Sequence, residues 1–287
     1  MYRRRLLSIA ATSVAFPAWF RYAEPRWFEL THTRISIRIP RPVRLLHLAD
    51  FHISDGMTAE ELEAGLQLGL GQRPDLICLT GDFISTTVAF DRHGLKRLVR
   101  LATDAAPTFA VLGNHDGGAW LARQGGSASH RLVGDLVQSA GAKLLHNASA
   151  SFAGLNLVGL GDLWSGQIFP AAAFASAPEP SIVLAHNPDT KDMLSNFSWQ
   201  LMLSGHTHGG QARIPGVTPA WAPVADKRFI SGLHRWEGRQ LFITRGIGSP
   251  KRIRAFCRPE VSVLDLVPEV TAASVQKLPA PESFKAL

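Results

Sequence analysis

Short apolar runs recur along this chain, and five of them stop abruptly at residues suited to holding charge. Val43-Arg44-Leu45-Leu46-His47-Leu48-Ala49 leads into Asp50-Phe51-His52, and Leu76-Ile77-Cys78-Leu79-Thr80 into Gly81-Asp82. Thr108-Phe109-Ala110-Val111-Leu112 leads into Gly113-Asn114-His115-Asp116. Ser181-Ile182-Val183-Leu184-Ala185 ends at His186-Asn187-Pro188, and Leu201-Met202-Leu203-Ser204 at Gly205-His206-Thr207-His208. Apolar runs this short, bounded by Gly and Pro, suit buried strands. Between the first of them, Leu62, Leu66 and Leu70 keep helical spacing within Thr58 to Gln72, opened by a Thr58 cap with Glu61 three residues on. A second helical segment spans Gly94 to Ala102. Strand and helix in alternation predict an α/β fold with a largely parallel sheet, whose ligands collect beyond the carboxyl ends of the strands.

A chain of 287 residues fits one such domain with short additions at its ends, taken here as 1–22, 23–267 and 268–287. Ile35 to Ile39 alternates apolar and polar residues and predicts a half-exposed strand before Pro40 and Pro42. Gly117 to Ser129, rich in Gly and Ser, reads as a mobile loop; Arg131 to Ser139 reads as a helix. Further strands are expected at Lys143 to Leu145, Leu155 to Val158, Leu241 to Thr244 and Val261 to Leu266. Beyond Pro268 the chain reads as a loosely held tail.

Met1-Tyr2-Arg3-Arg4-Arg5-Leu6-Leu7-Ser8, followed by small and apolar residues to Phe20, has the layout of a twin-arginine export signal or a membrane-surface anchor. The expected location is therefore the inner membrane face or, after export, the cell envelope. A formal charge of +7 favours encounter with phosphates and with an acidic membrane surface. No Lys/Arg block interleaved with aromatics, helix-turn-helix or paired Cys/His finger is present in the body, so nucleic acid is not an expected partner. With only Cys78 and Cys257, neither a disulfide framework nor a thiolate metal site is expected, and Cys78 reads as a buried small hydrophobe.

The polar clusters together offer the carboxylates of Asp50 and Asp82, the amide of Asn114 and the imidazoles of His52, His186, His206 and His208. This all-oxygen-and-nitrogen set has enough ligands for two divalent ions, Mn, Fe or Zn. If the backbone after the strand stays extended, Asp50 and His52, two apart, point the same way and can grip one ion, and His206 and His208 repeat the two-residue spacing within a glycine-flanked loop. The remaining histidines stay outside the site, with His47, in mid-strand, as a packed core residue.

Asp-x-His, Gly-Asp, Gly-Asn-His-Asp, a lone His and Gly-His-x-His, in this order after short strands, resemble the calcineurin-like metallophosphoesterases from about Val43 to Leu266. The resemblance implies two packed mixed β-sheets flanked by helices, a four-layer αββα sandwich with a dinuclear site at the strand ends. It assigns one metal to Asp50, His52 and His208, the other to Asn114, His186 and His206, and a bridging role to Asp82. His115 would be the catalytic group facing the phosphate and Asp116 its positioner, with metal-bound hydroxide attacking a phosphodiester or pyrophosphate in line. Many members carry a carboxylate three residues after the bridging Asp, where this chain has Ser85.

Glu24-Pro25-Arg26-Trp27-Phe28-Glu29-Leu30, Gly161-Asp162-Leu163-Trp164, His186-Asn187-Pro188-Asp189 and Thr244-Arg245-Gly246 further resemble a bacterial branch of membrane-associated phosphodiesterases, the YaeI and YkuE types. That branch is related to pyrophosphatases of UDP-2,3-diacylglucosamine. It makes Trp164 and Arg245 candidates for substrate contact, and a phosphorylated small molecule or lipid the expected substrate. The rivals are an exported broad-specificity phosphodiesterase and a non-catalytic phosphate-lipid scaffold. His115 speaks against the scaffold, because pure binding has little use for a proton donor beside complete metal ligands.

Overall fold

A computed structural model describes residues 17–177, 179 and 182–269. Residues 1–16 of the export-signal or anchor segment, and 270–287 of the tail, lie outside the described residues. Among the described residues, no helix is long and apolar enough to cross a membrane.

The chain forms β1 (Glu29–Ile37), β2 (Val43–Leu48), β3 (Leu76–Thr80), β4 (Thr108–Val111), β5 (Lys143–Leu144) and β6 (Ala148–Phe152). It continues with β7 (Leu155–Gly159), β8 (Ile182–Leu184), β9 (Leu201–Ser204), β10 (Gly232–Trp236), β11 (Arg239–Ile243) and β12 (Glu260–Pro268). They assemble into two six-stranded sheets, ordered β1-β12-β2-β3-β4-β5 and β10-β11-β9-β8-β7-β6. Both sheets are mixed: β12 runs antiparallel to β2, β6 to β7 and β10 to β11, while the other pairs are parallel.

The period of two along each strand builds the layers. In β2 and β3, Leu45, Leu76 and Cys78 enter an apolar layer shared with Leu157, Leu184, Leu203 and Phe242 of the second sheet. Their neighbours Leu46, Leu48, Ile77 and Leu79 face the opposite way, onto Leu62, Leu66, Leu95, Leu98 and Val133 of the covering helices. On the far side of the second sheet, Val158, Val183 and Met202 pack with Phe174, Leu194 and Trp199. Helix, sheet, sheet, helix is thus the layer order. Strands buried on both faces read as continuous apolar runs, which is why these five were visible in the sequence.

The first covering helix, Ala59–Leu70, carries the expected Thr58 and Glu61 capping box, with Thr58 Oγ1 accepting the Glu61 N–H at 3.3 Å. The second is longer than expected, Arg92–Ala105, because the Asp91 carboxylate accepts the Gly94 N–H at 2.8 Å and starts it early. β1 begins at Glu29, not Ile35, since it pairs with β12 along its whole length from Glu29↔Glu260 to Ile37↔Pro268. The Gly117 to Ser129 loop contains a short helix, Ala119–Arg123. His47 is fully buried, with Nε2 2.8 Å from Thr80 Oγ1, and burial lowers its pKa to about 3.

Candidate metal centre

The carboxyl ends of β2, β3 and β4 meet those of β8 and β9 at one edge of the sandwich, and the polar clusters converge there. Asp50, His52 and His208 form one group of buried donors and Asp82, His186 and His206 a second, each with its ligand atoms within 4.8 Å of one another. In the first, the Nε2 atoms of His52 and His208 lie 3.1 Å apart, and His208 Nε2 is 3.7 Å from Asp50 Oδ1. In the second, His186 Nε2 is 3.1 Å from Asp82 Oδ2 and 3.2 Å from His206 Nδ1. Asp82 Oδ2 also comes within 3.5 Å of His52 Nε2, so one carboxylate oxygen faces both groups.

The backbone that delivers these side chains is not extended, which corrects the reading of the two-residue spacings. Asp50, His52, Asp82, His206 and His208 all have positive φ, between 51° and 69°. Each turns sharply as it leaves its strand, so Asp-x-His and His-x-His converge through left-handed turns. Such conformers cost roughly 1–3 kcal/mol each for non-glycine residues and persist where surrounding structure enforces them. Glycines make the close approach possible: a Cβ at Gly113 would collide with the Asp82 carboxylate, and one at Gly205 with that of Asp50.

The donor set fits divalent cations. Ring nitrogens face ring nitrogens in a buried site, and Asn114 Oδ1 is buried with no hydrogen-bond partner among the described residues. Unpaired polar atoms of this kind are costly unless a cation satisfies them. His186 Nδ1 lies 2.7 Å from the Thr80 carbonyl, which can only accept, so Nδ1 carries the hydrogen and Nε2 keeps its lone pair for the centre. Burial opposes charge on His186, but Asp82 outweighs it and holds the imidazole up at about 10. Burial, reinforced by Asp82, pushes Asp50 up to about 7 against the opposing pull of His186.

His115 Nδ1 is 2.7 Å from the carbonyl of Ser85, so it too carries the hydrogen on Nδ1 and offers Nε2 to the cavity that it lines. This corrects the reading of Asp116 as the group that orients His115. Asp116 instead accepts the backbone N–H groups of Asp82, Gly113, Phe83 and Ile84 at 2.8 to 3.3 Å, and so locks the β3 and β4 loops together. The Ser85 backbone positions the ring, at the position where many members of the resembled family carry an acid.

The cavity above these groups has a volume of about 210 Å³ and is walled by Trp120, Trp164 and Trp221. Trp164 stands edge-on to His206 at 4.3 Å between ring centroids, where sequence resemblance had put a substrate contact. Arg245 is not among the lining residues: its guanidinium donates to Glu260 at 3.1 Å and Glu29 at 2.9 Å. Sequence reasoning missed Trp120 and Trp221, lone aromatics in irregular segments with no periodic signal. It also missed Arg254, fully buried beside the centre, where it donates to the carbonyls of His208 at 2.9 Å and Arg245 at 2.8 Å. In the run Lys251-Arg252-Ile253-Arg254 it looks like one more surface charge.

Two stacked mixed sheets whose strand ends converge on paired carboxylate and imidazole groups define an α/β metalloenzyme. Residues 43–210 match the calcineurin-like phosphoesterase family model, and the chain belongs to that family; it is a metal-dependent phosphoesterase of the hydrolase class. It is 40% identical over 274 residues to phosphodiesterase YaeI of Escherichia coli (strain K12), covering 92% of this chain and 99% of that protein. It is 26% identical over 315 residues to the UDP-2,3-diacylglucosamine pyrophosphatase LpxG of Chlamydia muridarum (strain MoPn / Nigg), covering 90% and 95%. To the uncharacterized metallophosphoesterase YkuE of Bacillus subtilis (strain 168) it is 29% identical over 258 residues, covering 86% and 88%.

Proposed function

We propose that this chain hydrolyses a phosphodiester or pyrophosphate bond carried by a lipid-linked substrate, using two divalent ions held at the strand ends. The observation that carries this reading is the position of Asp82 Oδ2, 3.1 Å from His186 Nε2 and 3.5 Å from His52 Nε2. Asp50, His52 and His208 would hold one ion, Asn114, His186 and His206 the other, and Asp82 would offer its carboxylate to both. When bound there, two such ions supply a water of lowered pKa and neutralise charge on the phosphoryl oxygens.

The chain's own residues do the rest. His115, fixed by the Ser85 carbonyl, presents Nε2 to the phosphoryl group; in the imidazolium form, with Nδ1–H still held by Ser85, Nε2–H would donate a hydrogen bond or a proton to the departing oxygen. Trp120 and Trp164, with ring centroids 6.0 Å apart, wall off water and pack on the group attached to the phosphate. No side chain of the centre is a nucleophile in this scheme, so no covalent enzyme intermediate forms. Support for a lipid-linked substrate comes from the LpxG relative, and for a diester from YaeI.

Hydrolysis of UDP-2,3-diacylglucosamine and of bis-p-nitrophenyl phosphate in ¹⁸O-labelled water tests the proposal, with products read by mass spectrometry. The expected result is one labelled oxygen in the phosphate product of each. Inertness toward both after loading with Mn, Fe or Zn would overturn it. Hydrolysis of the soluble diester alone would remove the lipid from the proposal and leave an exported broad-specificity phosphodiesterase.

A further inference from the structure

In the sequence, the Lys/Arg residues and exposed aromatics are scattered; in the fold, three segments bring them together. Residues 19–27, 210–231 and 250–258 are stitched side by side: Arg254 donates its backbone N–H to Phe20 O at 2.9 Å, and Arg213 to Ala255 O at 2.8 Å. Arg21 reaches the Lys251 carbonyl at 3.2 Å, and the Arg258 guanidinium lies 4.4 Å over the Trp27 ring. The three segments hold nine Lys and Arg against two acids, Glu24 and Asp226, an excess equal to the +7 of the entire chain. Arg254 among them is buried, and Arg26, Arg252 and Arg258 pair with Glu61 and Glu29 of neighbouring segments, so the exposed excess is smaller than this count.

The same segments carry eight of the fourteen large apolar side chains exposed among the described residues. Trp19, Tyr22, Trp27, Ile214, Val217 and Trp221 are each between 48% and 58% exposed. Exposed apolar surface of this extent on a soluble face marks an interaction site. Its chemistry selects the partner: tryptophan and tyrosine suit the boundary between headgroups and acyl chains, and Lys and Arg suit anionic headgroups. Aliphatic Ile214 and Val217 suit acyl chains. The region also borders the metal cavity, since Trp221, Gln211 and Pro250 line it.

We infer that this surface docks on a bilayer containing anionic lipid and sets the mouth of the metal cavity against the headgroups. The inference deepens the phosphoesterase reading by naming where its substrate is met, but the docking itself needs no turnover. Membrane binding and hydrolysis therefore fail separately: vesicle flotation reports the first, and cleavage of soluble bis-p-nitrophenyl phosphate the second.

The test is flotation of the full chain with vesicles of phosphatidylcholine, alone or mixed with phosphatidylglycerol. Wild type should float with the anionic vesicles and release as salt rises. Trp27→Ser with Ile214→Ser and Val217→Ser, and separately Arg21→Glu with Lys251→Glu, should each lower partitioning at least ~10-fold. All five positions are outside the metal cavity, so cleavage of the soluble diester should stay at the wild-type rate. Flotation of both variants at the wild-type level would overturn the inference. So would wild type that ignores anionic vesicles yet binds duplex DNA, which would reassign the surface to nucleic acid.

Discussion

Asp116 Oδ2 accepts the backbone N–H of Asp82 at 2.9 Å, and Asp82 Oδ1 in turn accepts the N–H of His115 at 2.8 Å. The tetrapeptide that supplies Asn114 and His115 is therefore tied in both directions to the carboxylate proposed to bridge the ions.

Removing Asp116 should cost structure before chemistry. Asp116→Ala leaves buried N–H groups on two loops without an acceptor, worth at least ~2 kcal/mol. Metal content and denaturation midpoint should both fall, as measured by elemental analysis and urea unfolding of the metal-loaded protein. Full occupancy with wild-type stability would mean that the loops are held in some other way.

His115 should behave in the opposite manner. It belongs to the cavity wall in the proposed division of roles, so His115→Gln should keep its metal while kcat toward bis-p-nitrophenyl phosphate falls at least ~10²-fold. Unchanged turnover, or loss of an ion, would exclude it as the group that meets the phosphate.

Metal binding should release protons. Asp50 is raised to about 7 by burial, and His186 is held up at about 10 by Asp82 despite its own burial. Both must lose a proton before binding a cation, so affinity for Mn should strengthen as pH rises through 7 and weaken below it. Calorimetric titration in buffers of different ionisation enthalpy checks this: the apparent heat should depend on the buffer, and a buffer-independent heat would contradict it.

His47, which shares Thr80 with His186, supplies a further acid sensitivity. Its folded-state pKa, about 3, lies below the ordinary value of 6.5 because burial penalises the imidazolium. The neutral ring is the form that the fold accommodates, so its contribution is complete above 6.5 and is lost as pH falls from there toward 3, by up to about 1.4 kcal/mol per pH unit. His47→Gln should have a flatter stability curve between pH 6.5 and 4, measured by urea unfolding. Parallel curves for variant and wild type would contradict the assignment.

The parts of the fold legible in the sequence were those buried on both faces. β2, β3, β4, β8 and β9 are continuous apolar runs because helices or the second sheet cover each side, and their ends announced the metal-binding groups. The Ala-Ser-Ala-Ser-Phe strand β6 and the Gly-Leu-His-Arg-Trp strand β10 lie at sheet edges with partly exposed side chains, so neither carried a run to read. Residue types identified the centre, but not the left-handed turns that close it, since Asp and His adopt either conformation without a local signal. The role given to Asp116 failed for the same reason: the donors to its carboxylate are backbone N–H groups more than thirty residues away in β3's loop, apart from Gly113. The basic aromatic surface was invisible because its three segments meet only in the fold.

The central claim is that seven side chains hold two ions bridged by Asp82, and that hydrolysis depends on them. Metal content and diesterase activity measured on the same samples, during removal by chelator and reloading with Mn, test this most directly. The account predicts two ions per chain at full activity, activity lost with the ions and restored by Mn, and Asp82→Asn with reduced content and little turnover. Full activity with fewer than one ion per chain, or full occupancy in Asp82→Asn, would contradict it.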